Sequence, residues 1–330
     1  MKTKVYIRAD GNTEIGLGHV IRSLALADML KDNFDCVFVT RYLSPYIEKE
    51  ANAICTNVVK LSESDEHFNE FLSILRGDEI VVLDNYFYTT DFQKSIRDKG
   101  CKLVCIDDIH DKHFVADVVI NHAGGITVSD YSVEPYTKCL LGTDYALLRP
   151  VFLDAAKQNR EISEISEIFI CFGGADKYDL TLKTTLAALE INNWKKIHVV
   201  IGGAYNHSTL FNLENDKLKI YRNLTSIEMC DLLKNCQLAI IPASTVSYEV
   251  FSVKMFVFLG YYVDNQEDIY KYFISQKTGV PLGDYRELSK EWLIDSFSEF
   301  IIDQTQLQTQ KLLIDGNSKR KLIEVFKQLC

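Results

Sequence analysis

The chain has 330 residues, of which 47% are hydrophobic and 25% are charged, and this balance predicts a globular protein of about two domains. Its net charge of -10 excludes a general binder of nucleic acid or of acidic membranes, because neither polyanion is attracted to a surface that is acidic on average. Any phosphate that the protein binds must therefore be held by a local arrangement of groups.

The nine cysteines form no CxxC pair, and several lie in apolar runs typical of strands. This pattern favours reduced core thiols in a cytosolic protein over a disulfide framework or a metal site. The N-terminus runs directly into a predicted strand without a signal-peptide core, and no apolar run approaches the roughly 20 residues that cross a bilayer. We therefore expect a cytoplasmic protein without a membrane partner, present as a monomer or a weak dimer.

Short β-branched runs alternate with segments of helical period in the first half of the chain. The predicted strands are 4–10, 35–41, 57–61, 79–86 and 102–108. The predicted helices open at Gly18 and cover 45–53, 66–75 and 90–99. This alternation predicts a mostly parallel sheet with helices on both faces.

The pattern loosens over 150–165 and then restarts, which predicts a domain boundary near 155. The later predicted elements are strands within the runs 167–176, 196–204, 218–224, 238–244 and 255–261, a capping box at Thr225 and Glu228, and helices at 246–253, 265–276 and from 288 onward. We expect an N-terminal domain over 1–155 and a C-terminal domain over 156–330 with extra C-terminal helices. Both are predicted to be doubly wound, Rossmann-like domains facing a cleft, with ligands beyond the carboxyl ends of their strands.

Glycine clusters follow three predicted strands, at Gly16 and Gly18, at Gly173 and Gly174, and at 202–203. Glycine permits tight turns and close approach to a ligand, and the N-terminus of the next helix offers N–H groups and about half a positive charge to a phosphate. The first cluster, "GLGHVI", lacks the third glycine of the dinucleotide fingerprint, and the sequence contains no Walker motif. Each loop stays open to a second interpretation, in which its glycines serve packing only.

His19 lies in the first turn of the first predicted helix. A core imidazole is unusual there, and the positive end of the helix dipole favours the neutral ring that can accept a proton. His19 is therefore a candidate general base, and a histidine that only completes a helix start is the alternative. Arg22 and Ser23 follow one turn later on the same face, and Arg8 and Asp10 end the preceding strand.

Two polar segments end later strands of the first half. In "LDNYFY", Asp84, Asn85 and Tyr86 close a buried strand with polar groups. In "IDDIHDKH", four residues suggest a metal site: Asp107, Asp108, His110 and His113. They are divided between a strand end and a loop. A solvated turn or a hydrogen-bond network is the preferred interpretation of this segment, and we expect no metal.

The segment "PASTVSYEVF" places Ser244 and Thr245 at a helix start and Glu249 one turn later. Hydroxyls and free N–H groups suit a diphosphate, and a carboxylate one turn further on can accept hydrogen bonds from ribose hydroxyls. An ordinary N-cap followed by a surface glutamate is the alternative interpretation.

One family shares a series of motifs with this chain: "IRADGNTEIGLGHVIRSLALA", "LDNY", "IDD", "LLGTDYALLRP", "ICFGGAD", "ASTVSYE" and "YYVDNQ". The chain resembles the PseG family, which are UDP-2,4-diacetamido-2,4,6-trideoxy-β-L-altropyranose hydrolases of pseudaminic acid biosynthesis, and the SpsG-type spore-coat polysaccharide proteins share the pattern. The resemblance covers residues 4–275, and its specificity comes from the combination of motifs. Asn85 and the region after Gln276 depart from the pattern, which leaves the sugar open.

The resemblance implies the GT-B architecture, similar to that of the UDP-GlcNAc transferase MurG, with the nucleotide bound chiefly by the C-terminal domain. It makes His19 of the GxGH motif the base that activates water. It assigns to the substrate the residues Gly18, Tyr86, Gly173, Gly174, Ser244, Glu249, Asn265 and Gln266. Of these, the two later glycines with Ser244 and Glu249 are implied for UDP, and Tyr86 with Asn265 and Gln266 for the sugar and water site.

The implied reaction is attack of water on the anomeric carbon with inversion and departure of UDP. Because the departing phosphate is a weak base, one general base suffices, and neither an acid nor a metal or cofactor is required. Two alternatives stay open: an inverting transferase of MurG type, in which His19 deprotonates an acceptor hydroxyl, and a non-catalytic nucleotide-sugar binding protein. UDP release without an acceptor separates the first from hydrolysis, and retained function of His19→Ala identifies the second.

Overall fold

The computed structural model describes residues 2–12, 16–174 and 176–330. Residues 13–15 of the first glycine loop and Ala175 of the second lie outside this part. All nine cysteines lie within it as free thiols, and seven of them are buried. No helix in the described residues is both long and apolar enough to span a membrane.

Two compact units make up the chain, and each is described by itself. Unit 1 comprises 1–150 and 317–330, and unit 2 comprises 151–316. The sequence prediction divided the chain at 155 and assigned the whole C-terminal region to the second domain. In the structure, the last helix instead belongs to unit 1.

Unit 1 is built on parallel strands covered by helices. Its strands are β1 (Lys4–Ala9), β2 (Asp35–Thr40), β3 (Asn57–Lys60), β4 (Ile80–Asp84), β5 (Lys102–Ile106), β6 (His113–Phe114), β7 (Val118–Asn121), β8 (Ser132–Val133) and β9 (Lys138–Leu141). Its first helices are α1 (Gly18–Leu30), α2 (Pro45–Ile54), α3 (His67–Ile74) and α4 (Thr90–Asp98). The main sheet has the order β3-β2-β1-β4-β5-β7-β9 with parallel neighbours, and β6 pairs with β8.

Unit 2 repeats the alternation after α5 (Pro150–Ala156), which starts at the boundary. Its strands are β10 (Glu167–Ile170), β11 (Lys196–Ile201), β12 (Leu218–Arg222), β13 (Leu238–Pro242), β14 (Phe256–Tyr261) and β15 (Val280–Asp284). Its further helices are α6 (Leu180–Leu189), α7 (Ser226–Asn235), α8 (Thr245–Val253), α9 (Glu267–Ser275), α10 (Lys290–Ser298) and α11 (Thr305–Leu313). The sheet order is β12-β11-β10-β13-β14-β15, with parallel neighbours throughout.

Side-chain caps explain where several helices begin. Ser44 accepts a hydrogen bond from Ile47 N at the start of α2, next to Pro45 at the first helical position. At α7, Thr225 Oγ1 accepts from Glu228 N while Thr225 N donates to the Glu228 carboxylate, which confirms the predicted capping box. These bonds satisfy N–H groups that have no partner within the helix.

The central strands are mainly apolar because helices cover both faces of each sheet. In unit 1, Val5, Ile7 and Val82 are fully or almost fully buried. In unit 2, Ile168 and Ile240 have no exposed surface. These residues hold the strands in place and leave only the strand ends for polar side chains.

The last helix, α12 (Ser318–Lys327), packs on unit 1. Phe326 contacts Phe34 with ring centroids 6.0 Å apart, and Ser318 Oγ donates to Ala146 O at 2.8 Å. An amphipathic helix at the end of a chain can cover any apolar face of suitable shape, so the sequence alone did not show that α12 lies against unit 1.

Candidate active site

Polar side chains collect where the central strands of unit 1 end. Asp10 follows β1, and the register that pairs Ala9 with Asp84 places the carboxyl ends of β1 and β4 side by side. Asp107 and Asp108 follow β5, the next strand of the sheet. Asp10 and Asp84 have no exposed surface, so neighbouring protein groups must compensate their charges. In doubly wound sheets this carboxyl edge is where ligands bind.

Arg22 and Ser23 hold the carboxylate of Asp84. Arg22 donates from Nε and Nη2 to the two Asp84 oxygens at 2.8 and 2.6 Å, and Ser23 Oγ donates at 3.0 Å. Burial raises the pKa of Asp84, but the charge and hydrogen bonds of Arg22 outweigh burial and lower this pKa to about 2. Asp84 is therefore ionised at neutral pH. Arg22 also donates to Asp108 Oδ2 at 2.8 Å.

His19 bonds to the same carboxylate from the start of α1. Its Nδ1 lies 2.7 Å from Asp84 Oδ1, and both side chains are buried. An ionised carboxylate only accepts hydrogen bonds, so Nδ1 of the neutral ring carries the hydrogen and Nε2 carries the lone pair. Arg22 Nη2 lies 3.1 Å from Nδ1, but an Nδ1 that carries a hydrogen has no lone pair with which to accept from Arg22. His19 Nε2 bonds to no described residue, which leaves it available to accept a proton from water.

Tyr86 packs edge-on against His19. Their ring centroids are 4.7 Å apart at an interplanar angle of 80°, and 39% of Tyr86 is exposed. Burial, and after it the charge of Asp108, raise the pKa of Tyr86, so its hydroxyl stays protonated. Gly18 precedes His19, and a Cβ added to it would meet no described atom within 4 Å. Packing in unit 1 therefore does not demand a glycine there.

A second polar group, here named the Asp10 cluster, comprises Arg8, Asp10, Thr40, Arg41 and Asn85. Asp10 accepts hydrogen bonds from the side chains of Arg8, Thr40 and Arg41. Asn85 accepts from Asp10 N at 2.7 Å and donates to Asp10 O at 3.2 Å, which joins the ends of β1 and β4. The sequence analysis did not single out Thr40 and Arg41, whose only signal is a polar pair at the end of a strand.

The segment "IDDIHDKH" forms hydrogen bonds to several parts of unit 1. Asp107 accepts from His110 N at 2.7 Å and from Tyr131 Oη at 3.1 Å, while Asp108 is bonded to the arginine of α1. The ring of His113 instead contacts side chains of β8 and of the residue that follows it. No group of three or more His, Cys, Asp or Glu side chains in the described residues is arranged to hold a metal ion.

In unit 2, Gly173 and Gly174 follow β10 as predicted. Gly173 has a φ of 84°, which favours glycine, and a Cβ on Gly202 would lie 2.3 Å from Gly174 O. The sequence analysis expected the next helix to offer free N–H groups to a phosphate. That expectation is wrong for α6, because the carboxylate of Asp176 already accepts from Leu180 N at 2.9 Å and from the following amide at 2.7 Å.

The start of α8 does offer such groups. Ser244 is its N-cap, and Ser244 N donates to Ser247 Oγ at 3.2 Å. The backbone N–H groups of Thr245 and Val246 donate to no described residue. Such N–H groups, at the positive end of the helix dipole, are suited to bind an anion. Glu249 lies one turn further along α8 and is 6% exposed, so it is not the surface glutamate of the alternative interpretation.

Asn265 and Gln266 lie in a turn after β14. Asn265 is exposed, whereas Gln266 is buried and its Oε1 accepts from Tyr262 N at 3.1 Å. Tyr262 Oη donates to Phe172 O at 2.7 Å, which ties this turn to the loop of Gly173. The structure thus brings six predicted residues to the carboxyl edge of unit 2: Gly173, Gly174, Ser244, Glu249, Asn265 and Gln266. The other three, Gly18, His19 and Tyr86, lie together at the carboxyl edge of unit 1.

No family model matches this chain. It is 29% identical over 247 residues to the UDP-2,4-diacetamido-2,4,6-trideoxy-beta-L-altropyranose hydrolase of Campylobacter jejuni, a match that covers 68% of this chain and 86% of that protein. It is 27% identical over 307 residues to the spore coat polysaccharide biosynthesis protein SpsG of Bacillus subtilis, covering 90% of this chain and 88% of that protein. An uncharacterized protein of Methanocaldococcus jannaschii is 27% identical over 300 residues, which are 86% of this chain but 61% of that longer protein. The resemblance to PseG and SpsG proteins is confirmed.

Solved structures of low sequence identity show the fold. The spinosyn rhamnosyltransferase SpnG complexed with thymidine diphosphate has a TM-score of 0.67 at 12% identity, over 99% of this chain and 100% of that one. MurG of Acinetobacter baumannii has a TM-score of 0.59 at 14% identity, over 99% of both chains. The predicted GT-B class, with two Rossmann-like units, is therefore confirmed.

Proposed function

We propose that this chain is a UDP-sugar hydrolase in which His19 activates water. The proposed substrate is a UDP-linked 2,4-diacetamido-2,4,6-trideoxy sugar, the class named for the Campylobacter relative. The observation that carries the proposal is the buried hydrogen bond between His19 Nδ1 and Asp84, which leaves Nε2 with its lone pair. The SpsG relative, which is named for spore coat polysaccharide biosynthesis, supports a role in polysaccharide biosynthesis.

In the proposed reaction, a water bonded to His19 Nε2 attacks the anomeric carbon and gives its proton to Nε2. A new C–O bond forms while the bond to the diphosphate oxygen breaks, and the electron pair of that bond leaves with UDP. Attack opposite the leaving group inverts the configuration. Ionised Asp84 stabilises the imidazolium that forms and keeps the ring oriented. The Tyr86 ring limits the positions that the imidazole can adopt.

Unit 2 is proposed to bind UDP. The N–H groups of Thr245 and Val246 bond to diphosphate oxygens, and Glu249 accepts from the ribose. Gly173 and Gly174 allow the backbone to approach the nucleotide. Because the departing diphosphate is a weak base, donors that stabilise its charge replace a general acid. At the same edge, Asn265 and Gln266 are proposed for the sugar and water, and Gln266 already holds its own loop.

An inverting glycosyltransferase is the alternative, and the transferases among the solved structures of the same fold favour it. In that reaction, His19 takes its proton from an acceptor hydroxyl instead of from water. Dependence on an acceptor separates the two activities. A non-catalytic nucleotide-sugar binding protein would show no UDP release with or without an acceptor.

The test follows UDP release from a panel of UDP-linked amino sugars in water labelled with oxygen-18, without an acceptor. We expect release of UDP that carries no label, which establishes cleavage between carbon and oxygen. The variant His19→Gln should lower the rate by about 10²- to 10⁴-fold, the usual contribution of a positioned general base, with UDP affinity unchanged. The matched control is His113→Gln, since His113 lies outside the site. Turnover that survives in His19→Gln excludes His19 as the base.

A further inference from the structure

Arg41 presents donors without partners at the carboxyl edge of unit 1. It follows β2, and both its backbone N and its Nε donate to the carboxylate of Asp10 at 2.7 Å. Only 13% of its side chain is exposed. The two terminal nitrogens of its guanidinium donate to no described residue. These two terminal nitrogens are here called the fork of Arg41. The bonds from Nε and the backbone N hold the guanidinium in place, so the fork can donate hydrogen bonds to an acceptor oxygen of a ligand.

The surroundings of Arg41 hold the fork in one orientation. Its guanidinium lies over the ring of Phe87 at 4.9 Å and over that of Tyr42 at 5.1 Å. Asp10, which anchors it, is itself bonded to Arg8. Because the side chain is already ordered, binding of a ligand costs little further conformational entropy.

Two cations at this edge share one carboxylate. Arg8 and Arg41 both donate hydrogen bonds to Asp10. His67 contacts Arg8 but adds no positive charge, because burial and then the charge of Arg8 lower the pKa of His67 to about 4 and keep the ring neutral at pH 7. The fork of Arg41 therefore favours a partner oxygen that carries negative charge or a strong dipole.

The guanidinium of Arg41 lies at the same edge of the sheet as the proposed base. Arg41 bonds to Asp10, whose backbone N donates to Asn85, and Asn85 directly follows the Asp84 that bonds to His19. In the proposed reaction, the group that reacts at His19 is the sugar. A sugar held there presents its substituents to the edge at which Arg41 lies.

We propose that Arg41 is a specificity-determining residue that binds an acyl carbonyl oxygen of the sugar. This inference rests on the proposed function, in which the sugar carries two acetamido groups. Their carbonyl oxygens are strong acceptors, while the anionic oxygens of the substrate are assigned to the start of α8. Arg41 thereby selects N-acylated sugars over sugars that carry hydroxyls at the same carbons.

The test measures binding by calorimetry in the His19→Gln background, where substrate is not consumed. The ligands are UDP, the UDP-linked diacetamido sugar and its dihydroxy counterpart. We expect Arg41→Gln to weaken binding of the diacetamido compound by about 10- to 100-fold, as for loss of a hydrogen bond to a charged group, and to leave the other two unchanged. Arg41→Lys, which keeps the charge near Asp10 but loses the fork, should weaken it less. The matched control is Arg97→Gln, because Arg97 also pairs with a carboxylate and lies over a tyrosine ring, but at the end of α4.

Two results overturn the inference. Equal weakening of all three ligands assigns the fork to the nucleotide phosphates, and unchanged binding of all three shows that Arg41 does not contact the substrate. If Arg41→Gln fails to fold, Arg41→Lys gives the same comparison. These readouts do not depend on turnover, so a failure of the proposed hydrolysis in the unmodified protein is distinguished from a failure of this inference.

Discussion

The two units present different chemistry at the same edge of the same kind of sheet. In unit 1, ionised side chains that bond to one another fill the carboxyl edge, as Asp84 does with Arg22. In unit 2, that edge carries glycines, hydroxyls and backbone N–H groups without a described partner, as at Thr245, beside the carboxylates of Asp176 and Glu249. Side chains with a lone pair can accept a proton, whereas backbone N–H groups do not titrate and can bind an anion at any ordinary pH. This difference fits the proposed function, in which unit 1 transfers the proton and unit 2 binds the nucleotide.

Among the changes that test this difference between the units, removing the carboxylate of Asp84 should have the largest effect. Asp84→Asn should lower turnover by about 10²- to 10⁴-fold, because an amide no longer fixes the hydrogen on Nδ1 of His19. It should also lower the free energy of unfolding by about 3 to 5 kcal/mol, since Arg22 loses a buried partner. Steady-state kinetics and urea unfolding measure the two effects.

The matched control for this change is Asp107→Asn, since Asp107 is buried at the same edge but bonds to His110 and Tyr131. It should lose stability without the same loss of turnover.

Unfolding of the protein at acid pH gives a second test of the role of Asp84. The pKa of Asp84 is depressed from 3.8 to about 2, so its contribution is present above pH 3.8 and is lost as the pH falls through about 2. If Asp84→Asn still shows the loss of stability between pH 3.8 and about 2, that loss does not come from Asp84.

A change in unit 2 should affect binding and leave chemistry intact. Thr245→Pro removes the first N–H of α8 at a helical position that accepts proline, after a Ser244 whose extended backbone is compatible with it. UDP affinity should fall by about 10- to 100-fold, with the maximal rate at saturation unchanged. The same substitution at the first position of α4, Thr90→Pro, is the control and should leave UDP affinity unchanged. Unaltered UDP binding by Thr245→Pro would show that the start of α8 does not bind the diphosphate.

The smallest expected effect concerns the pH dependence of stability in unit 1. His67 has a pKa of about 4 in the folded chain, below its ordinary 6.5, because of burial and then the charge of Arg8. The unfolded chain therefore takes up this proton first, and stability falls as the pH drops from 6.5 to 4. His67→Gln should reduce that fall by about 1 kcal/mol, with a remainder due to His122, whose pKa burial also lowers to about 4.

Melting temperatures at about pH 7 and about pH 4.5 measure this effect. His113→Gln is the control, because 40% of the His113 side chain is exposed. An identical pH profile for His67→Gln and the unchanged chain would show that burial and the charge of Arg8 do not keep His67 neutral in the folded protein.

The alternation of apolar strands and helices was enough to predict most of the fold. The predicted strands match β1 to β5 and β10 to β14. Most of these are runs of buried apolar residues, whereas β3 and β12 are partly exposed. The strands β6 to β9 were not predicted, since they are two to four residues long and too short to show a period. Helix ends differ from the predictions by a residue or two, as at α3 and α9.

The site was predictable as separate residues and not as an arrangement. His19 and Asp84 were both singled out, but they are 65 positions apart in the chain. Their contact depends on the sheet order, in which β4 lies next to β1 although two strands separate them in sequence. The sequence analysis did not single out Arg41, because an arginine after a strand is common. Only the structure shows that its two terminal nitrogens have no described partner. Asp176 was quoted within a motif, yet its cap on α6 depends on a left-handed backbone.

Because α12 belongs to unit 1, unit 2 is an insertion into unit 1 and not a tail attached to it. The two ends of the insertion are neighbours, since a Cβ on Gly316 would stand 2.4 Å from Leu153 O. Adjacent ends are what allow one folding unit to be spliced into another. A ribosome therefore finishes unit 2 before unit 1 is complete, and a premature stop near residue 317 damages the half of the molecule whose synthesis began first.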